Sequence, residues 1–415
     1  MSGSKPHIAL SFTRKLLPFA DAASTDLPLS QLLRLSLFQI SVGMATVLLL
    51  GTLNRVMIVE LGVAATIVAL MVAIPVLIAP FRAALGFKSD NYRSAIGWKR
   101  VPFIWFGSLW QMGGLAIMPF ALIVLSGDQT IGPSWAGEVL AGLAFLMTGL
   151  GLHMTQTAGL ALASDRAPKD KRPRVVALLY VMFLLGMGLS ALIIGYLLKD
   201  FSNLRLIRVV QGAALFGLVL NLVALWKQEH VKPMPKGQRV EPPPMFREAW
   251  ADFINKGDNA RLIMVVFIGT LAFNMQDVLL EPYGGQVLKL SVSETTWLTV
   301  AWAGGALFGF GIAAQRLNKG IDPSNLMNFG VLVGFVAFTC VIFASPILSV
   351  ILFFAGTFLI GLGAGLFSVS TLIAAMNLPL SGKSGRGLAL GAWGAAQATG
   401  AGLAIAIGGA TRDIV

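Results

Sequence analysis

His153 lies ten residues before the end of a long apolar run, and Gln156 and Thr157 follow it three and four places on. In a helix those ten residues rise about 15 Å, which puts the imidazole near the middle of a bilayer. The spacing places all three side chains on one helix face. A neutral imidazole in hydrocarbon needs a partner for its N–H. Its second nitrogen is then free to ligate a metal, including the magnesium of a chlorin. The plainer alternative is a ring hydrogen-bonded to a neighbouring helix. A second polar group, Asn274, Gln276, Asp277 and Glu281, runs up to Pro282. Asn274, Asp277 and Glu281 share a face at i, i+3 and i+7. Such groups carry protons, bind a polar part of a substrate, or tie helices together. Arg55 and Glu60 stand at the same membrane edge, where Arg55 is placed to pair with Glu60 or Glu281. Gln39 and Gln111 are single amides deep in their spans and read as hydrogen-bonding glue between helices.

The elements that must carry these residues are long and apolar. Eleven stretches stand out: Leu33–Asn54, Leu61–Phe81, Phe103–Ser126, Trp135–Ala163, Val175–Leu198, Ile207–Trp226, Leu262–Leu280, Trp297–Ala314, Leu326–Ala344, Leu348–Met376 and Leu388–Ala410. A hydrocarbon core of about 30 Å takes roughly 20 helical residues, so each can span it. Only 12% of the residues are charged, where a soluble domain would carry about 25%. Of the 31 Lys and Arg, 25 lie at the N-terminus and in alternate loops and 6 on the opposite side. That asymmetry puts the N-terminus in the cytoplasm. The net charge of +12 therefore reports orientation and contact with anionic lipid, and no nucleic-acid partner is expected.

The first 32 residues are basic but lack an apolar core and a cleavage site, so no signal peptide is expected. Ile8–Phe19 reads as a short amphipathic surface segment. The lone Cys340 allows no intrachain disulfide. There is no phosphate-binding Gly-Lys-Ser/Thr loop and no dinucleotide fingerprint. Three His and one Cys cannot build a clustered transition-metal site. With no soluble domain large enough for catalysis, the chain reads as a non-enzyme.

Four regions follow: a cytoplasmic segment 1–32, an N-terminal six-helix bundle 33–226, a linker 227–261 and a C-terminal bundle 262–415. In the linker, Pro233, Pro235 and Pro242 to Pro244 forbid a continuous helix. Beyond them Phe246, Trp250, Phe253 and Ile254 recur at helical spacing, which predicts an amphipathic helix on the cytoplasmic surface. The bundles repeat at an offset of 212: Gly149-Leu150-Gly151 matches Gly361-Leu362-Gly363, and Asp165, Lys171, Arg174 and Gly188 match Asn377, Lys383, Arg386 and Gly400. Two pseudo-symmetric six-helix bundles in an all-α integral membrane protein are the architecture of the major facilitator superfamily. Eleven spans are visible, and a twelfth is expected to be missing from this sequence. Gly86-x-x-x-Asp90 followed by Gly97-x-Lys99-Arg100 resembles that superfamily's signature between spans 2 and 3, with a longer gap than the signature allows. The counterpart Gly311-x-x-x-Gln315-Arg316-x-x-Lys319-Gly320 lacks the acid, so an Asp–Arg clamp is in doubt in one half.

Two long motifs carry a more specific resemblance. Gly151-Leu152-His153-Met154-Thr155-Gln156-Thr157-Ala158-Gly159-Leu160-Ala161-Leu162-Ala163-Ser164-Asp165 and Phe273-Asn274-Met275-Gln276-Asp277-Val278-Leu279-Leu280-Glu281-Pro282-Tyr283-Gly284-Gly285 resemble spans 4 and 7 of a bacteriochlorophyll-delivery family. That family includes the PucC- and LhaA-type proteins of purple phototrophic bacteria. The likeness covers essentially the whole chain. It implies a light-harvesting complex assembly factor in the inner, intracytoplasmic photosynthetic membrane. Such a protein would bind bacteriochlorophyll or a late precursor, with carotenoid and lipid as further candidates. The implied partners are antenna α and β polypeptides, the reaction centre, pigment-synthesis enzymes and membrane lipid. The resemblance makes His153 the candidate axial ligand of the chlorin magnesium, with Gln156 and Thr157 beside it. The alternative from another class is a proton-coupled transporter of a small solute, with Asp277 as its acid.

Overall fold

Lipid offers backbone N–H and C=O groups no partner, so apolar runs of this length fold as helices. The computed structural model describes residues 22–414 apart from 25–26, 60, 64–66, 69, 73–74, 76–79, 93, 128–132, 134, 199–200, 230–244, 278–279, 281–282, 285–286, 291 and 379–384. The segment Ile8–Phe19 and about half of the expected second span therefore lie outside the described residues, as does Glu60.

The first bundle comprises α1 (Leu29–Thr46), which continues through a π-helical segment Val47–Leu53 into α2 (Asn54–Val59), then α3 (Phe81–Asn91), α4 (Val101–Leu125), α5 (Ala136–Arg166), α6 (Arg172–Leu197) and α7 (Asn203–Leu225). After the linker helix α8 (Phe246–Asn255) come α9 (Gly257–Asn274) with a 3₁₀ turn Met275–Asp277, α10 (Val292–Asn318), α11 (Pro323–Ala344), α12 (Val350–Asn377) and α13 (Arg386–Ile414). Seven of these, α1 with its π segment, α4 to α7, α11 and α12, are long and apolar enough to cross a membrane among the described residues. Helices α9, α10 and α13 coincide with three more of the apolar stretches.

Within the first bundle α4 packs on α5 and α7, and α1 on α6 and α7. Within the second α12 packs on α10 and α11, and α9 on α13. The bundles meet where α3 lies against α13 and α6 against α10. One contact shows why small residues stand there. A Cβ built on Gly86 would come 1.7 Å from the Gly387 carbonyl oxygen, so the α3 and α13 backbones touch with no side chain between them.

Two elements differ from the sequence reading. The seventh span was expected to run unbroken to Leu280, but its α-helix stops at Asn274. The Asn274 amide donates to the Thr270 carbonyl at 2.7 Å. A short polar side chain bonded back onto the previous turn competes with the helical ladder. Helix α8 forms where expected, but its apolar face is covered by protein rather than lipid. Ala249 and Phe253 are buried against Ala83, Phe87, Leu388 and Ala389, and the Phe246 ring meets Phe87 edge-on at 5.5 Å. The linker helix thus caps the α3–α13 junction.

Candidate functional site

At the basic end of the bundle, the longer gap between Asp90 and Gly97 is absorbed by a turn. The Ser94 N–H donates to the Trp98 carbonyl at 2.9 Å and the Gly97 N–H to the Ser94 carbonyl at 2.8 Å. Gly97 takes a φ of +85°, which a side chain would strain. The turn returns Arg100 onto Asp90 in a buried pair. Arg100 also donates to Ser89 and, through Nε, to Asp165 at 3.1 Å. Lys99 Nζ stands 4.0 Å from Asp90. The clamp of the first half is therefore formed.

It also reaches across the bundles. The two Asp90 oxygens accept the N–H groups of Gly387 and Leu388, both at 2.9 Å, at the start of α13. A carboxylate there meets the positive end of the helix. Asp165 accepts from Arg386 at 3.4 Å, and Asn377, its counterpart in the repeat, accepts from Arg172 at 2.8 Å. Each bundle thus holds the other through matched positions. In the second half, whose signature lacks the acid, the Asn318 amide, oriented to satisfy both neighbours, accepts from Arg174 Nη2 at 2.7 Å and donates to the Asp170 carbonyl at 3.1 Å.

Glu229, which no motif marks out, caps α4. Its carboxylate accepts the N–H groups of Lys99 and Arg100, both at 2.9 Å, and of Val101 at 3.1 Å. Replacing it in Glu229→Ala is expected to cost about 1–2 kcal/mol, the upper range for an N-cap. A thermal unfolding midpoint equal to the parent's would exclude that role.

Between the bundles lies a cavity of about 400 Å³ with walls from α1, α3, α5, α6, α9, α10, α12 and α13. His153, Gln156 and Asn274 line it, as expected of polar residues inside a span. Gln39 also lines it, whereas Gln111 bonds Ser41 at 3.0 Å between helices. His153 Nε2 is 2.9 Å from the Pro75 carbonyl, so the ring donates through Nε2. Nδ1 then carries the lone pair, and it is buried with no hydrogen-bond partner among the described residues. A carbonyl-fixed tautomer with a free second nitrogen suits a metal ligand. The space does not, since a chlorin with its isoprenoid tail is larger than this cavity. Thr157 accepts from Arg82 Nε at 3.0 Å.

Arg82 was missed because it stands one residue past the second apolar stretch, where a cation reads as a loop charge. Its side chain turns inward and is 3% exposed. No Asp or Glu lines the cavity among the described residues. Gln276 is buried on the 3₁₀ turn, while the side chains of Arg55 and Asp277, with Glu281 altogether, lie outside the described residues.

A second recess, of about 920 Å³, opens sideways between α6 and α7 at the end opposite the basic loops. Ile193, Leu197, Gly212 and Phe216 form its apolar walls, and Arg205 and Arg208 stand at its rim.

Residues 52–415 match the family described as PUCC protein. This chain belongs to the PucC family. It is 65% identical over 399 residues to an uncharacterized protein of the puhA–bchM intergenic region of Rhodobacter capsulatus, covering 96% of this chain and 83% of that one. It is 55% identical over 406 residues to protein PucC of Rhodovulum sulfidophilum, covering 97% and 89%. Two solved structures share the fold of this PucC-family chain. A bacterial homologue of the iron transporter ferroportin, in an outward-facing state, superposes with a TM-score of 0.71 at 15% identity over 93% of this chain and 91% of the other. The major facilitator superfamily proton:xylose symporter XylE gives 0.63 at 14% identity over 93% and 88%. The chain is a multi-pass membrane protein of the major facilitator fold.

Proposed function

We propose that this PucC-family protein is an assembly factor for light-harvesting complexes that binds bacteriochlorophyll or a late precursor and passes it to antenna α and β polypeptides in the photosynthetic membrane. Family membership carries this reading, and the wide lateral recess between α6 and α7 supports it. A pigment with an isoprenoid tail is already soluble in lipid. What it needs from a carrier is a separate apolar berth, reached sideways, that keeps it from aggregating. The recess meets that need in size and access, and the cavity around His153 does not.

This reading is a binding role without turnover. A proton-coupled transporter would have the same fold. Its coupling would need an acid facing the central cavity, and the side chain of the candidate, Asp277, lies outside the described residues.

The test is near-infrared absorption of the full chain purified from a pigment-making host. Pigment is expected to co-purify. Gly212 faces open space in the recess, so Gly212→Trp should fill the berth and lower the pigment-to-protein ratio about fivefold, equivalent to about 1 kcal/mol. His153→Leu should leave that ratio unchanged. Protein that is colourless from such a host would end the proposal.

A further inference from the structure

The central cavity contains a buried cation that no carboxylate offsets among the described residues. Arg82 donates Nε to Thr157 at 3.0 Å and Nη1 to the Gly394 carbonyl at 3.3 Å, while Nη2 is buried without a partner among the described residues. No carboxylate pairs with this guanidinium among those residues, although the pairs at the basic end show that the chain uses them elsewhere. A buried, unpaired charge costs several kcal/mol, and neutral hydrogen-bond partners do not cancel it. A water at Nη2 would satisfy its hydrogens and leave the charge. An anion would do both.

The surroundings define which anion. Gln156 and Gln397 add neutral amides to the lining, and Phe183, Phe310 and Trp393 supply apolar and aromatic walls from three different helices. At about 400 Å³ the space is at the small end for organic ligands. Both bundles contribute: Arg82 and Thr157 belong to one, and the Gly394 carbonyl and Trp393 to the other. A ligand here would therefore bridge the two halves.

We infer that the central cavity is a binding site for a compact organic anion, a single carboxylate or phosphate on an apolar body, with Arg82 as its charged anchor. The site is separate from the lateral recess, and it stands or falls without the pigment reading, because its test uses no pigment. Such an anion could come from the aqueous phase or from membrane lipid, so the probes cover both.

The full chain in detergent is titrated with 1-naphthoate, with decanoate and with the uncharged methyl ester of 1-naphthoate, and the thermal unfolding midpoint is followed. At least one of the two anions should raise the midpoint in a saturable way, and the ester should not. A stronger response to naphthoate points to a soluble ligand, and one to decanoate to a lipid-derived one. Arg82→Gln should weaken binding by at least about tenfold, the worth of a charge-assisted hydrogen bond, while Arg82→Lys keeps a saturable shift. Should Arg82→Gln fail to accumulate, the acid–ester comparison on the parent still decides. The inference is overturned if the ester acts as strongly as the acid, if neither anion shifts the midpoint, or if Arg82→Gln binds like the parent.

Discussion

Gly86→Val is expected to pry the two bundles apart at the basic end. A Cβ at position 86 would lie 1.7 Å from the Gly387 carbonyl oxygen, and one at Gly387 would lie 2.3 Å from the Gly86 oxygen. The nearest atoms are backbone on both sides, so no rotamer change makes room. Helices α3 and α13 must separate, and three things are lost together. The Asp90 contacts to the Gly387 and Leu388 N–H groups open. The small core of Phe87, Phe253 and Leu388 beneath α8 is exposed. The inward reach of Arg82 to Gly394 is broken. The readout is Ala389→Cys in a Cys340→Ser background. Residue 389 is fully buried in the parent junction. Its alkylation by a membrane-impermeant maleimide should rise on the order of tenfold or more in Gly86→Val, since each 1.4 kcal/mol of shifted equilibrium is worth that factor. Gly188→Val is the control, because Gly188 meets no atom within 4 Å and the exchange makes the same change in helix propensity. Equal labelling in Gly86→Val and Gly188→Val would show that the junction does not depend on this contact.

The same junction shows what the sequence discloses. Ten of the eleven apolar stretches coincide with described helices because lipid forces every long apolar run into one regular structure. The charge asymmetry and the repeat at offset 212 then point to the fold. Asp90 and Arg100 were visible as a pair of types, but their joining was not, because a turn at Ser94–Trp98 decides it and turns are local events. Helix α8 illustrates a different limit. Its periodicity shows that one face is apolar, and it cannot show whether lipid or the α3–α13 seam covers that face. Arg82 lies further out of reach. Its partners are 75 and 312 residues away, so only the fold distinguishes it from a loop cation. The stop at Asn274 was not legible, because the apolar stretch reads on to Leu280 and the stop depends on one side chain bonding the turn behind it. For His153 the depth was readable, while the carbonyl that holds its ring comes from a different helix.

Arg100→Met is expected to cost about 3–5 kcal/mol, the range for breaking a buried pair by removing one partner. The Arg100 and Asp90 side chains are 1% and 7% exposed. Methionine fills much of the arginine stem, so the loss is electrostatic more than steric. Among the described residues it leaves Asp90 buried with the α13 N–H groups and the distant Lys99 Nζ, and Asp165 with Arg386 as its ion-pair partner. The unfolding midpoint should fall by several degrees. Asp90→Asn should fall too, because it removes the charge that both Arg100 and the start of α13 meet, while its amide oxygen can still accept one of the two N–H groups. Placing both changes in one chain separates pairing from burial. With neither charge left, the double variant should be more stable than the sum of the single losses predicts, by a coupling of about 0.5–3 kcal/mol. Simple additivity would mean that the two side chains act independently and that the latch resides in Asp165, Arg386 and the glycine seam instead. Salt offers an independent check. A pair this buried lies outside the reach of screening, so moving from low to high ionic strength should leave the Arg100→Met loss nearly constant. The half-exposed Asp165–Arg386 contact, removed in Arg386→Met, should lose most of its effect under the same change.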